Sequence, residues 1–207
     1  FEVIIVNNAS DDITEDVSLS YADQLNKHGI KFKVVYEEKV GVANARNRGV
    51  SEASGNIIAS TDADCVLSSN WVGEIDRIFN SKRGSVVTGK NIYRDAGLPL
   101  KILTKWGYYK FNYYFFKYIF GFPHFHTANG AFLKSVWKEM GGFDSKCVSP
   151  DDIDDVEFGS RVAKKYKVEF NSNMVVYTSY RRYKNTKQAL VSAKNRIASV
   201  YKIIKKR

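Results

Sequence analysis

Residues 3–6 form a short apolar run that ends in Asn7-Asn8-Ala9-Ser10-Asp11-Asp12, the pattern of a buried strand running into a polar loop. Val17, Tyr21 and Leu25 recur at four-residue spacing and predict one face of a helix, with Gly29 as its stop. Residues 32–36 are β-branched and aromatic and predict a second strand. Residues 41–53 read as a second helix closed near Gly55, and residues 56–61 as a third strand that runs into Asp62-Ala63-Asp64. Strand, helix, strand, helix, strand over the first 65 residues predicts an α/β fold with a mostly parallel central sheet and helices on both faces. Right-handed crossovers would bring the loops after Val6 and Thr61 to the carboxyl edge of that sheet, where open α/β sheets bind ligands.

Further along, the pattern predicts a helix over 71–79, a strand over 85–91, a short helix over 134–140 stopped by Gly141-Gly142, a helix over 155–166 and a late strand over 174–177. Residues 106–125 carry twelve aromatic side chains, interrupted by charge only at Lys110 and Lys117. This run reads either as a buried structural helix or as an amphipathic element beside a hydrophobic or lipid-linked partner. A final helix over 186–204 places Leu190, Ala193, Ile197, Val200 and Ile204 on one apolar face and ends in Lys202, Lys205, Lys206 and Arg207.

The chain has 207 residues, enough to bury a core, and an ordinary globular composition that excludes a disordered or collagen-like chain. Lys and Arg outnumber Asp and Glu by 32 to 22, a net charge of +10, which calls for an anionic partner: nucleic acid, a phosphorylated ligand or an anionic membrane. Two cysteines, Cys65 and Cys147, cannot make a disulfide framework and read as reduced thiols in a cytosolic setting. No apolar stretch is long enough to span a bilayer. The chain opens directly on a strand at Phe1, so the natural N-terminus is expected upstream.

Three clusters carry candidate chemistry. Asp62 and Asp64, one residue apart after an apolar strand, either converge on a hard divalent cation such as Mg2+ or Mn2+ or form a solvated turn. Asp151, Asp152, Asp154, Asp155 and Glu157 fall within seven residues of a basic chain; they cap a helix start, supply a general base, or do both. In residues 41–49, Arg46 and Arg48 point different ways on a helix, so Arg46 can reach a phosphate while Arg48 stays solvated. Weaker signals are Asn7, Asn8 and Asp11 (a nucleobase or a turn), His28, His124 and His126 (a metal or ordinary packing), and Tyr180-Arg181-Arg182-Tyr183 (a diphosphate or plain surface).

Taken in order, these pieces resemble the family 2 glycosyltransferases of GT-A fold. The stretch Val3-Ile4-Ile5-Val6-Asn7-Asn8-Ala9-Ser10-Asp11-Asp12 is similar to the family's second strand and nucleotide loop, and Gly41-Val42-Ala43-Asn44-Ala45-Arg46-Asn47-Arg48-Gly49 to its Gly-x-x-x-Ala-Arg-Asn-x-Gly segment. Asp62-Ala63-Asp64 matches its Asp-x-Asp motif, Thr127-Ala128-Asn129-Gly130-Ala131-Phe132 with Gly141-Gly142-Phe143-Asp144 its acceptor-side segment, and Asp154-Asp155 with Arg161 its Glu-Asp motif and trailing Arg. The resemblance covers residues 1–182. It implies a catalytic domain over 1–185, with a nucleotide-binding half (1–91) and an acceptor-side half (92–185), followed by the basic helix over 186–207. It also implies a nucleotide-diphosphate sugar as donor and a divalent cation (Mn2+ or Mg2+) held by Asp64 and Asp62. Asn7, Asn8, Asp11, Arg46, Asp62 and Arg181 would face the donor. Asn129, Gly130 and Trp106 would face a glycan or lipid-linked acceptor. Asp155, with Asp154, would take the acceptor proton, with inversion at the anomeric carbon. Asn7 and Asn8 stand where many members carry Asp, Asp154 replaces a Glu, and Thr178 falls near where some members have a metal-binding His.

The expectation is therefore a cytoplasmic transferase at the inner face of a membrane, in peripheral contact with it. The rivals are a sugar nucleotidyltransferase, for which no Gly-rich phosphate loop is visible, and a nucleic-acid-binding module, against which the acidic clusters argue.

Overall fold

The computed structural model describes residues 1–81, 84–146, 153–181 and 186–205. Strand β1 (Glu2–Asn7) pairs in parallel with β2 (Lys31–Tyr36) across helices α1 (Thr14–Leu19) and α2 (Ala22–Lys27). The single helix expected here is broken at Ser20 and Tyr21. The hydroxyls of Ser18 and Ser20 bond back to the carbonyls of Thr14 and Val17, at 2.7 Å each, and such local bonds compete with helix continuation. Val17 and Tyr21 consequently do not share a buried face; both are exposed.

Helix α3 (Val42–Glu52) leads to β3 (Ile57–Ser60), β4 (Val66–Leu67), α4 (Trp71–Asn80) and β5 (Val86–Tyr93). The aromatic stretch folds as α5 (Leu98–Trp106), α6 (Tyr108–Phe115), a π-helical turn (Phe116–Phe120) and a 3-10 turn (Thr127–Asn129). The chain continues through β6 (Gly130–Leu133), α7 (Lys134–Glu139), α8 (Asp154–Val162), β7 (Val168–Thr178) and α9 (Thr186–Lys205). Strand β7 begins six residues before the expected 174–177. Its first half is the polar run Glu169-Phe170-Asn171-Ser172-Asn173, and β5 pairs along it with a register shift after Gly89.

The α/β architecture stands, but the strand sense corrects the mostly parallel expectation. The five-stranded sheet has the order β3-β6-β5-β7-β4, and only β5–β7 is a parallel pair. Strands β3, β5 and β7 still share one direction; β6 is inserted antiparallel between β3 and β5. The reason is the route of the aromatic segment: it leaves from the carboxyl end of β5 and delivers the chain at the same edge, so the next strand must run back. The carboxyl ends of β3 and β7 and the entry to β6 thereby lie together, and with them Asp62, Asp64, Thr178, Arg181 and the loop before Gly130.

Helix α4 buries Trp71, Ile75, Ile78 and Phe79, at i, i+4, i+7 and i+8, against Val87, Ala131, Met174 and Val176 of the sheet. On the other side Phe125, Phe132, Phe143 and Phe158 form a ring cluster with Ala43 and Val50 of α3 and Val162 of α8. This cluster welds α3 to α8, which positions the charged site described next. Of the apolar face expected on α9, Val200 and Ile204 pack, with Ile203, near Phe116, Phe120, Ile153 and Val156, whereas Leu190 and Ile197 are exposed.

Candidate active site

Ala43 and Val50 bury the inner face of α3, and Arg46 lies between them at helical spacing, so it is carried inward. Its Nη1 donates to both carboxylate oxygens of Asp154, at 2.6 and 2.5 Å, and its Nη2 to Asp62 Oδ1 at 3.3 Å. Arg48, two residues on, points away and pairs with Glu52 at 3.0 Å, as its spacing predicts. Asp154 sits in the first turn of α8 with only 6% of its side chain exposed, Arg46 has 16%, and Asp62 keeps 47% open to solvent.

The charges interlock. Burial works against the Arg46 cation, but Asp154, Asp62 and Asp155 together hold its pKa above the ordinary arginine value. Partial burial raises the Asp62 carboxyl; Arg46 pulls it back, and Asp155 and Asp64 push it up again. Asp154 is raised by burial and by Asp155, with Arg46 opposing. Asp62 thus lies in the field of both Asp64 and Asp155, and Arg46 bridges the two acidic clusters by bonding Asp154 and Asp62 at once. Asp151 and Asp152 lie outside the described residues.

The Asp62–Asp64 loop is a turn closed by the Cys65 N–H on the Asp62 carbonyl at 3.1 Å. Asp64 lies 3.7 Å from the exposed guanidinium of Arg181 and 3.7 Å from the Cys65 thiol. Burial raises the Cys65 pKa, a hydrogen bond with Thr178 lowers it, and Asp62 and Asp64 raise it further, so the group is a thiol rather than a reactive thiolate. Two carboxylates on a tight turn supply the oxygen donors that fit a hard divalent ion with phosphate oxygens completing its shell; Arg181 in reach is no ligand and suits a phosphate instead. Cys147, Arg182 and Tyr183 lie outside the described residues.

Several expected contacts are engaged elsewhere. Asn7 donates to Glu15 Oε2 at 3.1 Å and accepts the Ser10 N–H at 3.0 Å. Asn8 donates to the carbonyls of Glu37 and Lys39 and accepts the Gly41 N–H at 2.8 Å, which ties the end of β1 to the start of α3. Both amides close loops instead of presenting hydrogen bonds to a base; Asp11 alone of the three is exposed. Asn129 is fully buried: it accepts from Trp71 Nε1 at 2.8 Å and donates to the carbonyls of Lys90 and Met174 at 3.0 Å. A Cβ on Gly130 would lie 2.7 Å from both the His126 carbonyl and the Phe125 ring. Asn129 and Gly130 therefore build the core beneath the cleft and cannot touch an acceptor. Trp106 is 81% exposed at the end of α5. Asp154, locked on Arg46, is not open to an incoming hydroxyl, which leaves Asp155 as the available acid of the pair.

Two residues that lie in the quoted motifs, but to which the sequence assigns no role of their own, turn out to be supports. Asn47 accepts from Trp137 Nε1 and the Phe143 N–H and donates to the Phe143 carbonyl, clamping α3 to the turn at Gly141-Gly142. A side chain at Gly142, where φ is +78°, would strike Asn47 Oδ1 at 2.8 Å. Arg161 pairs with Glu157 and donates to the carbonyls of Met140 and Gly142, holding α8 on the end of α7. The motif residues Asn47 and Arg161 thus work by placing Arg46 and Asp155.

Residues 1–141 match the family described as Glycosyl transferase family 2, about two thirds of the chain. The chain belongs to glycosyl transferase family 2. A stretch of 86 residues is 40% identical to EpsH of Bacillus subtilis (strain 168), a protein named as a glycosyltransferase, and covers 42% of this chain and 24% of that one. Among solved structures, the mannosyltransferase PcManGT from Pyrobaculum calidifontis, in complex with GDP-Man and Mn2+, superposes with a TM-score of 0.69 at 17% identity over 97% of this chain and 55% of the other. TarS 1–349 of S. aureus in complex with UDP gives 0.63 at 14% identity over 96% and 56%. These likenesses establish the GT-A fold. The family 2 chain spans about a quarter of the curated relative and just over half of the solved neighbours. Membership favours the transferase reading over the nucleotidyltransferase and nucleic-acid readings.

Proposed function

We propose that this family 2 chain transfers a sugar, with inversion, from a nucleotide-diphosphate sugar to a hydroxyl of a glycan or lipid-linked acceptor. The observation that carries the proposal is Arg46, which holds Asp154 and Asp62 at once and so keeps the Asp62–Asp64 turn near the Asp154-Asp155 pair; in this reading the two acidic poles flank one bound sugar. In this reading Asp155 accepts the acceptor proton as its oxygen bonds to the anomeric carbon, and the bond from that carbon to the diphosphate breaks on the opposite side. Arg181, beside Asp64, stabilises the charge gained by the departing diphosphate. Asp64 and Asp62 would hold Mg2+ or Mn2+, which when bound neutralises phosphate charge; the Mn2+ and GDP-Man of the Pyrobaculum neighbour support this choice. Calorimetry with UDP- and GDP-sugars in Mn2+ tests it. Wild type should bind one donor in a metal-dependent way, and Asp64→Ala should lose that binding while keeping the thermal midpoint of the apo protein. Equal donor affinity in Asp64→Ala would remove the metal site from this turn.

We also propose that the surface of α5, α6 and the π turn rests on anionic lipid at the cytoplasmic face. No described helix is long and apolar enough to cross a membrane. Leu98, Trp106, Phe111, Tyr118 and Ile119 are each more than 60% exposed, interleaved with the exposed Lys105, Lys110 and Lys117. The α9 end, with exposed Lys202 and Lys205, packs at Phe116 and Phe120 beside them. Each lysine near an anionic leaflet adds about 1 kcal/mol. The protein should co-sediment with phosphatidylserine vesicles and much less with phosphatidylcholine alone. The variant Trp106→Ser/Phe111→Ser should stay in the supernatant, and vesicle binding equal to wild type would refute this surface.

A further inference from the structure

His124 and His126 belong to no role assigned so far. They lie in the segment between the π turn and the 3-10 turn, and His126 has extended backbone (φ −111°, ψ 113°), so residues two apart point to the same side. Their ring centroids are 3.7 Å apart. One ligand atom from each, together with one carboxylate oxygen of Asp155, fall within 4.8 Å of one another. The β6 entry and α8 are brought together here from positions 29 or more residues apart in the chain.

The pair is held in place. Asn112 bonds Nδ1 of His124 at 2.8 Å, and Phe116 stacks on the same ring at 4.5 Å. Tyr109 meets the His126 ring edge-on at 5.2 Å, and the backbone N–H of His126 donates to Thr88 Oγ1 at 3.1 Å. A ligating histidine donates from its second ring nitrogen, so with Nε2 on a metal the Nδ1–H of His124 faces Asn112, whose side-chain amide turns its oxygen to accept it. Two imidazoles and one carboxylate suit a borderline metal such as Zn2+ and match poorly the all-oxygen preference of Mg2+. The Asp62–Asp64 turn has the opposite preference, so the two sets discriminate between metals.

We propose that His124, His126 and Asp155 form a second cation site, selective for Zn2+-like ions over Mg2+, whose filling withdraws the Asp155 carboxylate from the acceptor and stops transfer. The inhibitory half rests on Asp155 being the base; the binding half does not. A divalent cation on Asp155 favours the ionised carboxylate and so lowers its affinity for the acceptor proton, and three protein ligands leave a position for water.

The test is Zn2+ titration against a chromogenic chelator in excess Mg2+, with transfer assayed in parallel. Wild type should bind one Zn2+ and lose transfer as the site fills. His124→Gln and His126→Gln, each with Mg2+-dependent donor binding intact as proof of folding, should each weaken Zn2+ by roughly 100-fold or more, because even outer-shell partners of a metal are worth about 10- to 100-fold. Transfer by both variants should resist Zn2+. Unchanged Zn2+ affinity in both variants would overturn the site. Zn2+ binding that leaves transfer intact would overturn its inhibitory role. If Asp155→Asn also retains transfer, the fault lies with the assignment of the base and the metal site stands.

Discussion

Replacing Asp155 by asparagine should lower the transfer rate by about 10²- to 10⁴-fold, the usual worth of a positioned base, and should leave donor affinity close to wild type. Asparagine keeps the size of the side chain, and its carbonyl can still accept the Val156 N–H that Asp155 Oδ1 holds at 2.8 Å, so the first turn of α8 persists. What it loses is the ability to take a proton. Asp154 cannot replace it, because both of its oxygens accept from Arg46 and its side chain is almost fully buried. Asp62 and Asp64 stand on a different loop, so the donor site is untouched. Single-turnover transfer with donor saturating, set beside calorimetric donor binding, separates the two effects. A variant that turns over at the wild-type rate would dismiss Asp155 as the base.

Arg46→Met should cost about 3 kcal/mol of folding stability, the lower end of the cost of removing one partner from a buried ion pair. It strands the Asp154 carboxylate in a site sealed by Phe143 and by α8, while Asp62, half open to water, re-solvates cheaply. Urea denaturation would read the loss as a lowered midpoint with unchanged slope. The double variant Arg46→Met/Asp154→Leu should regain most of it, since a well-packed apolar pair replaces an ion pair at little net cost. Transfer should fall in both, because nothing then aligns the Asp62–Asp64 turn with Asp155. Recovery of transfer in the double variant would show that the Arg46 bridge is structural only.

Much of the scaffold was legible because it depends on neighbours in the chain. The β-branched runs before Asn7 and Asp62, the four-residue period of α4 and the glycines at 141 and 142 report local geometry, and the structure follows them. The Asp62-Ala63-Asp64 and Asp154-Asp155 signals were readable for the same reason: acids after a strand and acids at a helix start carry their own physical cause. The break between α1 and α2 shows where local reading fails even at short range, since two serine hydroxyls outweighed an apolar period.

Residue order alone thus defined the kinds of element, the acidic poles and the family likeness. Which polar side chains face the cleft was decided by packing. Asn8 and Asn129 have the same amide as any ligand-binding asparagine, but each lies beside backbone groups that it pairs with, and for the fully buried Asn129 those groups would otherwise be unsatisfied. Arg46 meets Asp154 across 108 positions, and His126 meets Asp155, because β6 is threaded antiparallel between β3 and β5 and an aromatic cluster presses α8 onto α3. Strand order and register bring such distant groups together, and no periodicity in a local stretch of chain encodes them.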